Sequence, residues 1–241
     1  MNKLILILNH ADREAVTFNK DWHNPICDTK VIWQTDQKSD NQDIIAIDMP
    51  GKIVIANVMR ILCFYAARYK YDYYCLMAGD CYILKKDFID KAITYMKKDK
   101  ADVCFTHIDK RLEHYKCSFY DMIVRNYHID RDDIRWSLNI CNIVSRKAVN
   151  IYNEFSFYKI YDEADFPNVF HNKLRTITYP GINYNYFNAA NIAEFNNCVG
   201  EDRSPHLSGM VRSINNENPP LEIVHAIKNY KLLKEFNVCL T

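Results

Sequence analysis

The chain has 241 residues, enough to bury a sizeable core. Hydrophobic residues make up 49% and charged residues 25%, an ordinary globular composition that excludes disordered and fibrous classes. Lys plus Arg is 31 and Asp plus Glu is 30, so the formal net charge is +1. This balance creates no overall field for nucleic acid, which is not expected as a partner, and an anionic ligand would need a local basic pocket.

Glycine is scarce and cysteine is plentiful. The five glycines are too far apart for a dinucleotide fingerprint, a P-loop or a nucleophile elbow, so phosphate groups would have to be bound by side chains or a metal. The nine cysteines form no C-x-x-C pair, which is poor spacing for structural zinc and favours a reducing compartment. With no secretory or membrane-spanning run, the sequence predicts a cytoplasmic protein and leaves peripheral membrane association open.

In the first half, short apolar runs alternate with segments of helical spacing. Strands are predicted over residues 4–8, 31–33, 44–47, 73–77 and 101–106. A helix is predicted after the polar segment 9–12, ending at about Asn19, and further helices are predicted over residues 53–69 and 88–96. This alternation predicts an α/β fold with a mostly parallel central sheet flanked by helices.

The second half is less regular. Strands are predicted over residues 138–144, 174–179 and 221–224, and helices over residues 146–152, 163–171 and 226–236. Residues 183–220 are rich in Asn, Ser and Pro and are predicted to form a long loop region. Because no shift in composition marks a boundary, residues 1–241 are predicted to form a single domain.

Polar residues follow the predicted strands at the place where open α/β sheets bind ligands, outside the carboxyl ends. Asn9 and His10 follow the first strand, Asp36 the second, and Gly79-Asp80 the strand at 73–77. The glycine would let the chain turn while Asp80 points off the strand end, where a carboxylate can hold a divalent cation or a ribose hydroxyl. Alternatively, Asp80 only caps the turn.

A second cluster has three carboxylates within four residues, Asp162, Glu163 and Asp165. Carboxylates this close repel one another, which can poise one of them as a general base. The alternative is a helix start, with Asp162 as the N-cap and the other two in a first turn favoured by the helix dipole. From the sequence alone the capping role is favoured, and the two roles can coexist.

A third cluster of polar residues lies near the C-terminus and includes Arg212, His225 and Lys228. Without a glycine-rich cradle, a diphosphate needs such donors. His225 could bind a metal or a diphosphate, or make a structural hydrogen bond. Lys228 could equally belong to the solvated face of the last predicted helix.

Three stretches in order along the chain resemble glycosyltransferases of the GT-A fold, which use nucleotide-sugar donors. Residues 73–84 resemble the strand and Gly-Asp turn of the branching β-1,6-N-acetylglucosaminyltransferases and their bacterial and viral relatives. Residues 136–149 are similar to the Trp, strand and Ser-Arg helix start of that group, and residues 162–166 to the Asp-Glu pair that opens its catalytic helix. Residues 224–228 resemble a His-x-x-Lys diphosphate contact of related bacterial transferases.

The resemblance implies one GT-A-like, Rossmann-like domain with a nucleotide-binding half over about residues 1–110 and an acceptor-binding half over about 111–241. It implies transfer of a sugar, with inversion, from a nucleotide-sugar donor (a UDP-sugar) to a glycan or glycolipid hydroxyl in polysaccharide biosynthesis. Glu163 would be the catalytic base, with Asp165 as its competitor. The residues implied in donor binding are Asn9, His10, Asp36, Arg60, Gly79, Asp80, Arg212, His225 and Lys228.

Mn²⁺ or Mg²⁺ is the implied cofactor, with Asp80 and His225 as its ligands. A full Asp-x-Asp motif is absent because Ala78 and Tyr82 occupy the positions of the second aspartate. Neutralisation of the diphosphate by Arg and Lys alone therefore stays open. Two other functions also stay open: a non-catalytic α/β binding subunit, and a sugar-nucleotidyltransferase, against which the lack of glycine in the first fifty residues counts.

Overall fold

The computed structural model describes residues 1–106, 108, 117–137, 141–156, 160, 162–179, 222–224 and 233. The strands in these residues are β1 (Lys3–Asn9), β2 (Asp28–Gln34), β3 (Ile44–Ile47), β4 (Tyr73–Ala78), β5 (Tyr82–Ile83), β6 (Val103–Phe105), β7 (Cys141–Ser145), β8 (Thr176–Thr178) and β9 (Ile223–Val224). The α-helices are α1 (Arg13–His23), α2 (Gly51–Ala56), α3 (Val58–Ala66), α4 (Phe88–Lys98), α5 (Cys117–Tyr127), α6 (Arg146–Phe155) and α7 (Asp162–Val169). A short 3₁₀ turn covers Arg131–Asp133.

Seven of these strands form one sheet in the order β3-β2-β1-β4-β7-β6-β8. Strand β7 runs antiparallel to both of its neighbours, and the remaining pairs in the sheet are parallel. Because β2 and β3 lie on one side of β1 while β4 lies on the other, the strand order reverses between β1 and β4. The predicted α/β fold with a mostly parallel central sheet is confirmed.

Helices cover both faces of the sheet. Helices α1 and α4 pack on one face, and α3, α5, α6 and α7 pack on the other. Successive residues of β1 enter the two cores alternately, with Leu4 and Leu6 on one side and Ile5 and Ile7 on the other. This two-sided burial explains why β1 is a continuous apolar run in the sequence.

Some boundaries differ from the sequence prediction. The helix predicted over 53–69 is two helices, because Asn57 leaves the helical conformation at φ −136° and ψ 32° and its side chain donates to the Ile53 carbonyl at 2.8 Å. Helix α1 begins after Asp12 as predicted, with Asp12 accepting from the Ala15 N–H at 2.8 Å, but it continues to His23 rather than ending near residue 19.

The sequence did not predict α5, β5 or the reversed direction of β7. The predicted loop over 183–220 and the predicted helix over 226–236 lie outside the described residues, apart from residue 233. Across the described part of the chain, every helix is too short or too polar to cross a bilayer.

Candidate active site

The chain approaches closely at Asn9, the last residue of β1, and Gly79, which follows β4. A Cβ atom on Gly79 would lie 2.9 Å from the Asn9 Cα and 2.6 Å from its Cγ, closer than real Cβ atoms come to other atoms. The Gly79 carbonyl accepts a hydrogen bond from Asn19 Nδ2 at 2.6 Å, and Asn9 Nδ2 lies 3.5 Å from it. Asn9 Oδ1 accepts from the Ala11 N–H at 2.8 Å. The glycine therefore fills a position where a side chain would separate two strands.

Asp80 follows this contact directly and is half-buried. The Cys81 N–H donates to the Ala78 carbonyl at 3.1 Å, which closes a tight turn around Asp80. The Cys81 thiol is fully buried, and its pKa is raised well above the usual range by that burial, with a smaller contribution from the Asp80 charge. Cys81 is therefore a protonated core residue, and Asp80 is the residue of this turn with chemistry to offer a ligand.

An open pocket of about 440 Å³ lies beyond the carboxyl ends of β2 and β3. Asp36 lines it together with Thr35, Lys38 and Asp48. His10 is exposed one residue after the end of β1. Since β1, β2 and β4 are parallel, the predicted donor-binding residues Asn9, His10, Asp36, Gly79 and Asp80 all lie along one edge of the sheet.

Glu163 contacts the segment that precedes β7. Strand β7 runs opposite to β4, so its first residue, Cys141, lies opposite Met77 near the carboxyl end of β4. Ser137 precedes β7 and donates its backbone N–H to the Glu163 carbonyl at 2.9 Å. Glu163 is half-buried in the first turn of α7. This hydrogen bond joins the first turn of α7 to the segment before β7.

Asp165 has different surroundings. Its side chain is completely buried, accepts a hydrogen bond from Arg60 at 3.0 Å and accepts another from the Tyr127 hydroxyl. Arg60 also donates to the Asn57 side chain. This cluster joins α3, α5 and α7, which indicates a structural role for Asp165. The guanidinium of Arg60 contacts the same cluster, so the geometry gives no support to its predicted contact with the donor.

The predicted site residues Arg212, His225 and Lys228 lie outside the described residues. Strand β9 nonetheless reaches the Asp80 region, because Val224 pairs with Tyr82 in an antiparallel register. Within the described ranges, no group of three or more His, Cys, Asp or Glu side chains could hold a metal ion. A cation at Asp80 would therefore need other ligands, such as the oxygens of a bound diphosphate.

Sequence reasoning missed three side chains of α1 that contact the Asp80 region, namely Asn19, Trp22 and His23. The spacing of two of them in the sequence could have indicated this contact. Asn19 and His23 are four residues apart and share the buried face of the helix with Ala15 and Val16. Buried polar residues on an apolar helix face are hydrogen-bonded, and here their partners are backbone groups of another segment.

No protein-family model and no curated protein sequence matches the chain. Among solved structures, it is similar to a mannosyltransferase from Pyrobaculum calidifontis in complex with GDP-Man and Mn²⁺ (TM-score 0.46, 10% identity, covering 86% of this chain and 66% of that one). It is also similar to the catalytic domain of Drosophila β1,4-galactosyltransferase 7 in complex with xylobiose (TM-score 0.41, 14% identity, 76% and 66%). A third similar structure is the bifunctional IspDF from Campylobacter jejuni (TM-score 0.42, 10% identity, 76% and 50%).

The chain thus spans between half and two thirds of the length of these three proteins. At identities of 10–14%, what they bind is a property of those proteins. The narrower resemblance to the branching β-1,6-N-acetylglucosaminyltransferases gains no support from these structures.

Proposed function

We propose that the protein transfers a sugar from a nucleotide-sugar donor to a hydroxyl group of a glycan or glycolipid. The observation that carries this proposal is the contact between Gly79 and Asn9 at the point where the strand order reverses. Open α/β sheets bind their ligands in the crevice at such a point, outside the carboxyl ends of the strands. Asp80 follows Gly79 directly, so a carboxylate is held at the mouth of that crevice.

The donor nucleotide would lie along this edge, with its base and ribose near Asn9, His10 and Asp36. Asp36 supports this placement because it lines the open pocket beyond β2 and β3. A carboxylate accepts hydrogen bonds from ribose hydroxyls, and Asp80 would do so or would share a divalent cation with the diphosphate. A UDP-sugar is the donor we expect.

Glu163 would act as the general base. Its carboxylate would take the proton of the acceptor hydroxyl while that oxygen attacks the anomeric carbon of the donor sugar. The bond between the anomeric carbon and the diphosphate oxygen breaks, and the configuration inverts. Asp165 is a weaker candidate because its oxygens already accept from Arg60 and Tyr127 in the core.

The leaving diphosphate carries negative charge that must be stabilised. The chain has no glycine-rich cradle, so we assign this role to Arg212, His225 and Lys228. The pairing of Val224 with Tyr82 supports the assignment of His225, because it brings the preceding residue beside the strand that follows Asp80. Mn²⁺ or Mg²⁺, if bound with the donor, would neutralise part of the same charge.

The experiment that tests the proposal measures the thermal stabilisation of the protein by UDP, GDP and the corresponding triphosphates, each with and without Mn²⁺. A diphosphate at 100 times its Kd should stabilise the protein by about 2.7 kcal/mol. The Asp80→Asn variant should fold normally and lose most of this stabilisation. Asp72→Asn is the matched control, because Asp72 is exposed just before the other end of β4.

The absence of stabilisation by any nucleoside diphosphate would contradict the proposal. Stabilisation by triphosphates alone would favour the sugar-nucleotidyltransferase alternative. Stabilisation of Asp80→Asn equal to that of the parent would leave Asp80 as a turn residue only.

A further inference from the structure

Helix α1 contacts the segment that carries Asp80 on both sides of that residue. Before it, the Gly79 carbonyl accepts from Asn19 Nδ2 at 2.6 Å. After it, the Ile83 N–H donates to His23 Nε2 at 3.3 Å, while His23 Nδ1 lies 2.8 Å from the Asn19 carbonyl. Asn19 and His23 are both fully buried. Two neighbouring side chains of one helix thus bind the backbone before and after Asp80.

Aromatic side chains reinforce the second of these contacts. Trp22 Nε1 donates to the Ile83 carbonyl at 2.9 Å. The Tyr82 ring stacks on the His23 ring, with centroids 5.8 Å apart and an interplanar angle of 14°, and meets the Trp22 ring edge to face at 6.1 Å. Both backbone groups of Ile83 are therefore bound by α1 side chains.

The hydrogen bonds of His23 require a neutral ring. Burial lowers the pKa of His23 to about 4, although its hydrogen bond to the Asn19 carbonyl opposes that effect. A neutral ring has one N–H and one lone pair, and the two contacts use them both: Nδ1–H donates to the Asn19 carbonyl and Nε2 accepts from Ile83. The ring is thus a fixed connector between α1 and the segment after Asp80.

We propose that Asn19 and His23 are positioning residues for the donor: they fix the backbone around Asp80 and thereby fix the direction of its carboxylate. Neither side chain touches the donor in this proposal. It rests on the proposed function, because it assigns Asp80 to donor binding. A turn held in its binding conformation beforehand loses less conformational entropy when the donor binds.

Of these two residues, Asn19 allows the clearer test. Within the described part of the chain its Oδ1 has no hydrogen-bond partner, so its side-chain contact with the turn depends on Nδ2 alone. Asn19→Ala removes that donor. Asn168→Ala is the matched control, because Asn168 is also buried and its Nδ2 also donates to backbone carbonyls, those of Arg135 and Ala164.

The test is calorimetric titration of UDP and GDP, with and without Mn²⁺, into the parent, Asn19→Ala, Asp80→Asn, the double variant and Asn168→Ala. We expect Asn19→Ala to raise the Kd of the diphosphate about tenfold, the size expected for one hydrogen bond. In the Asp80→Asn background the same change should alter the Kd by less than about twofold, because Asn19 acts through Asp80. Asn168→Ala should lower the unfolding midpoint and leave the Kd unchanged.

Two results would overturn the inference while the proposed function stands. One is an unchanged Kd in Asn19→Ala when Asp80→Asn still loses binding. The other is an equal loss in both backgrounds, which would mean that Asn19 acts independently of Asp80. A parent protein that binds no diphosphate would instead remove the proposed function, and the inference with it. If Asn19→Ala does not fold, Asn19→Ser keeps a hydroxyl donor and should show a smaller loss in the same cycle.

Discussion

The two edges of the central sheet each carry an open pocket, and the two pockets are nearly equal in size. The pocket beyond β2 and β3 at the carboxyl edge measures about 440 Å³, and the one at the amino edge measures about 470 Å³. The amino-edge pocket even has the more basic lining, because Lys97, Arg146 and Lys147 all contribute to it. Size and charge alone would favour the amino edge for an anionic ligand.

The difference lies in what the polar groups already bind. At the amino edge, Asp102 accepts from Ser145 Oγ at 2.8 Å and pairs with Lys147 at 3.4 Å, and Arg146 Nε donates to the Tyr71 carbonyl at 2.8 Å. These groups hold the start of α6 against the sheet. At the carboxyl edge, the backbone of Gly79 makes the comparable contact, because its carbonyl accepts from Asn19 Nδ2 at 2.6 Å and its Cα has no room for a side chain beside Asn9.

The largest effect we expect concerns turnover. Glu163→Gln should lower kcat by about 10²–10⁴-fold, because a general base acts in the transition state, and should leave the donor Kd unchanged. Steady-state kinetics with donor affinity measured in parallel check this. Normal turnover in Glu163→Gln together with a collapse in Asp165→Asn, beyond what lost folding explains, would move the base to Asp165. Normal turnover in both would remove the carboxylate-base mechanism from α7.

The second prediction contrasts two ion pairs. Asp165→Asn leaves Arg60 without its buried carboxylate and should lower the free energy of unfolding by about 3–5 kcal/mol. Asp102→Asn at the amino edge is the control, since Lys147 is 64% exposed there, and should cost less than about 1 kcal/mol for the loss of that ion pair. Urea unfolding of both variants measures the two losses in the free energy of unfolding. Equal losses would mean that the Asp165 cluster is no more structural than a surface pair.

The third prediction concerns pH. His23 has a pKa of about 4 in the folded protein against 6.5 in the unfolded chain, so between these values the unfolded state binds more protons. Stability should therefore fall as the pH drops from about 6.5 to about 4, by up to about 3 kcal/mol from this residue. The free energy of unfolding, measured with urea across that pH range, should depend less steeply on pH in His23→Gln than in the parent. Identical slopes would show that His23 does not titrate this way.

The fourth prediction uses the two glycines in the described part of the chain, because their surroundings differ. Gly79→Ala should cost about 1–3 kcal/mol, because the added Cβ would lie within 2.9 Å of the Cγ, Cβ and Cα atoms of Asn9. Gly51→Ala should be neutral or slightly stabilising, because its nearest neighbour, Gln34 Nε2, would be 3.5 Å away in ordinary contact. Thermal unfolding of the pair checks the difference, and a Gly79→Ala variant as stable as Gly51→Ala would contradict the close approach of β1 and β4.

The smallest effect belongs to the amino edge. Lys147→Ala should change stability by less than about 0.5 kcal/mol, because the pair with Asp102 is exposed and screened. It should also leave the Kd for UDP and GDP unchanged in calorimetric titration. A tenfold weaker diphosphate Kd in this variant would place the phosphates at the amino edge and reverse the comparison.

The sequence was sufficient for the parts of the fold that depend on local pattern. A strand buried on both faces is a continuous apolar run, so the strand at residues 4–8 could be predicted, and a glycine followed by an aspartate at a strand end pointed to residues 79 and 80. The direction of β7 could not be predicted, because an apolar run has the same pattern whichever way the strand runs.

Contacts between distant parts of the chain also could not be predicted from the sequence. Arg60 and Asp165 are 105 residues apart, and nothing in either local segment indicates that they pair. The end of α1 was placed too early because Asn19 and His23 are polar, and polar residues usually mark the exposed side or the end of a helix. Their partners are backbone groups of residues 79–83, which only the folded structure brings within reach.

The short antiparallel pair of β5 and β9 also bears on how the protein is made. Glu222, next to β9, bonds Lys91 at 2.8 Å across 131 residues of sequence, and Tyr179 donates to the same carboxylate at 2.5 Å. During synthesis, the Asp80 turn emerges from the ribosome long before this partner strand exists. Loop-closure entropy makes such late pairing slow, and until it forms β5 presents an unpaired strand edge. Until β9 has been synthesised and pairs with it, β5 could therefore pair wrongly with a neighbouring chain.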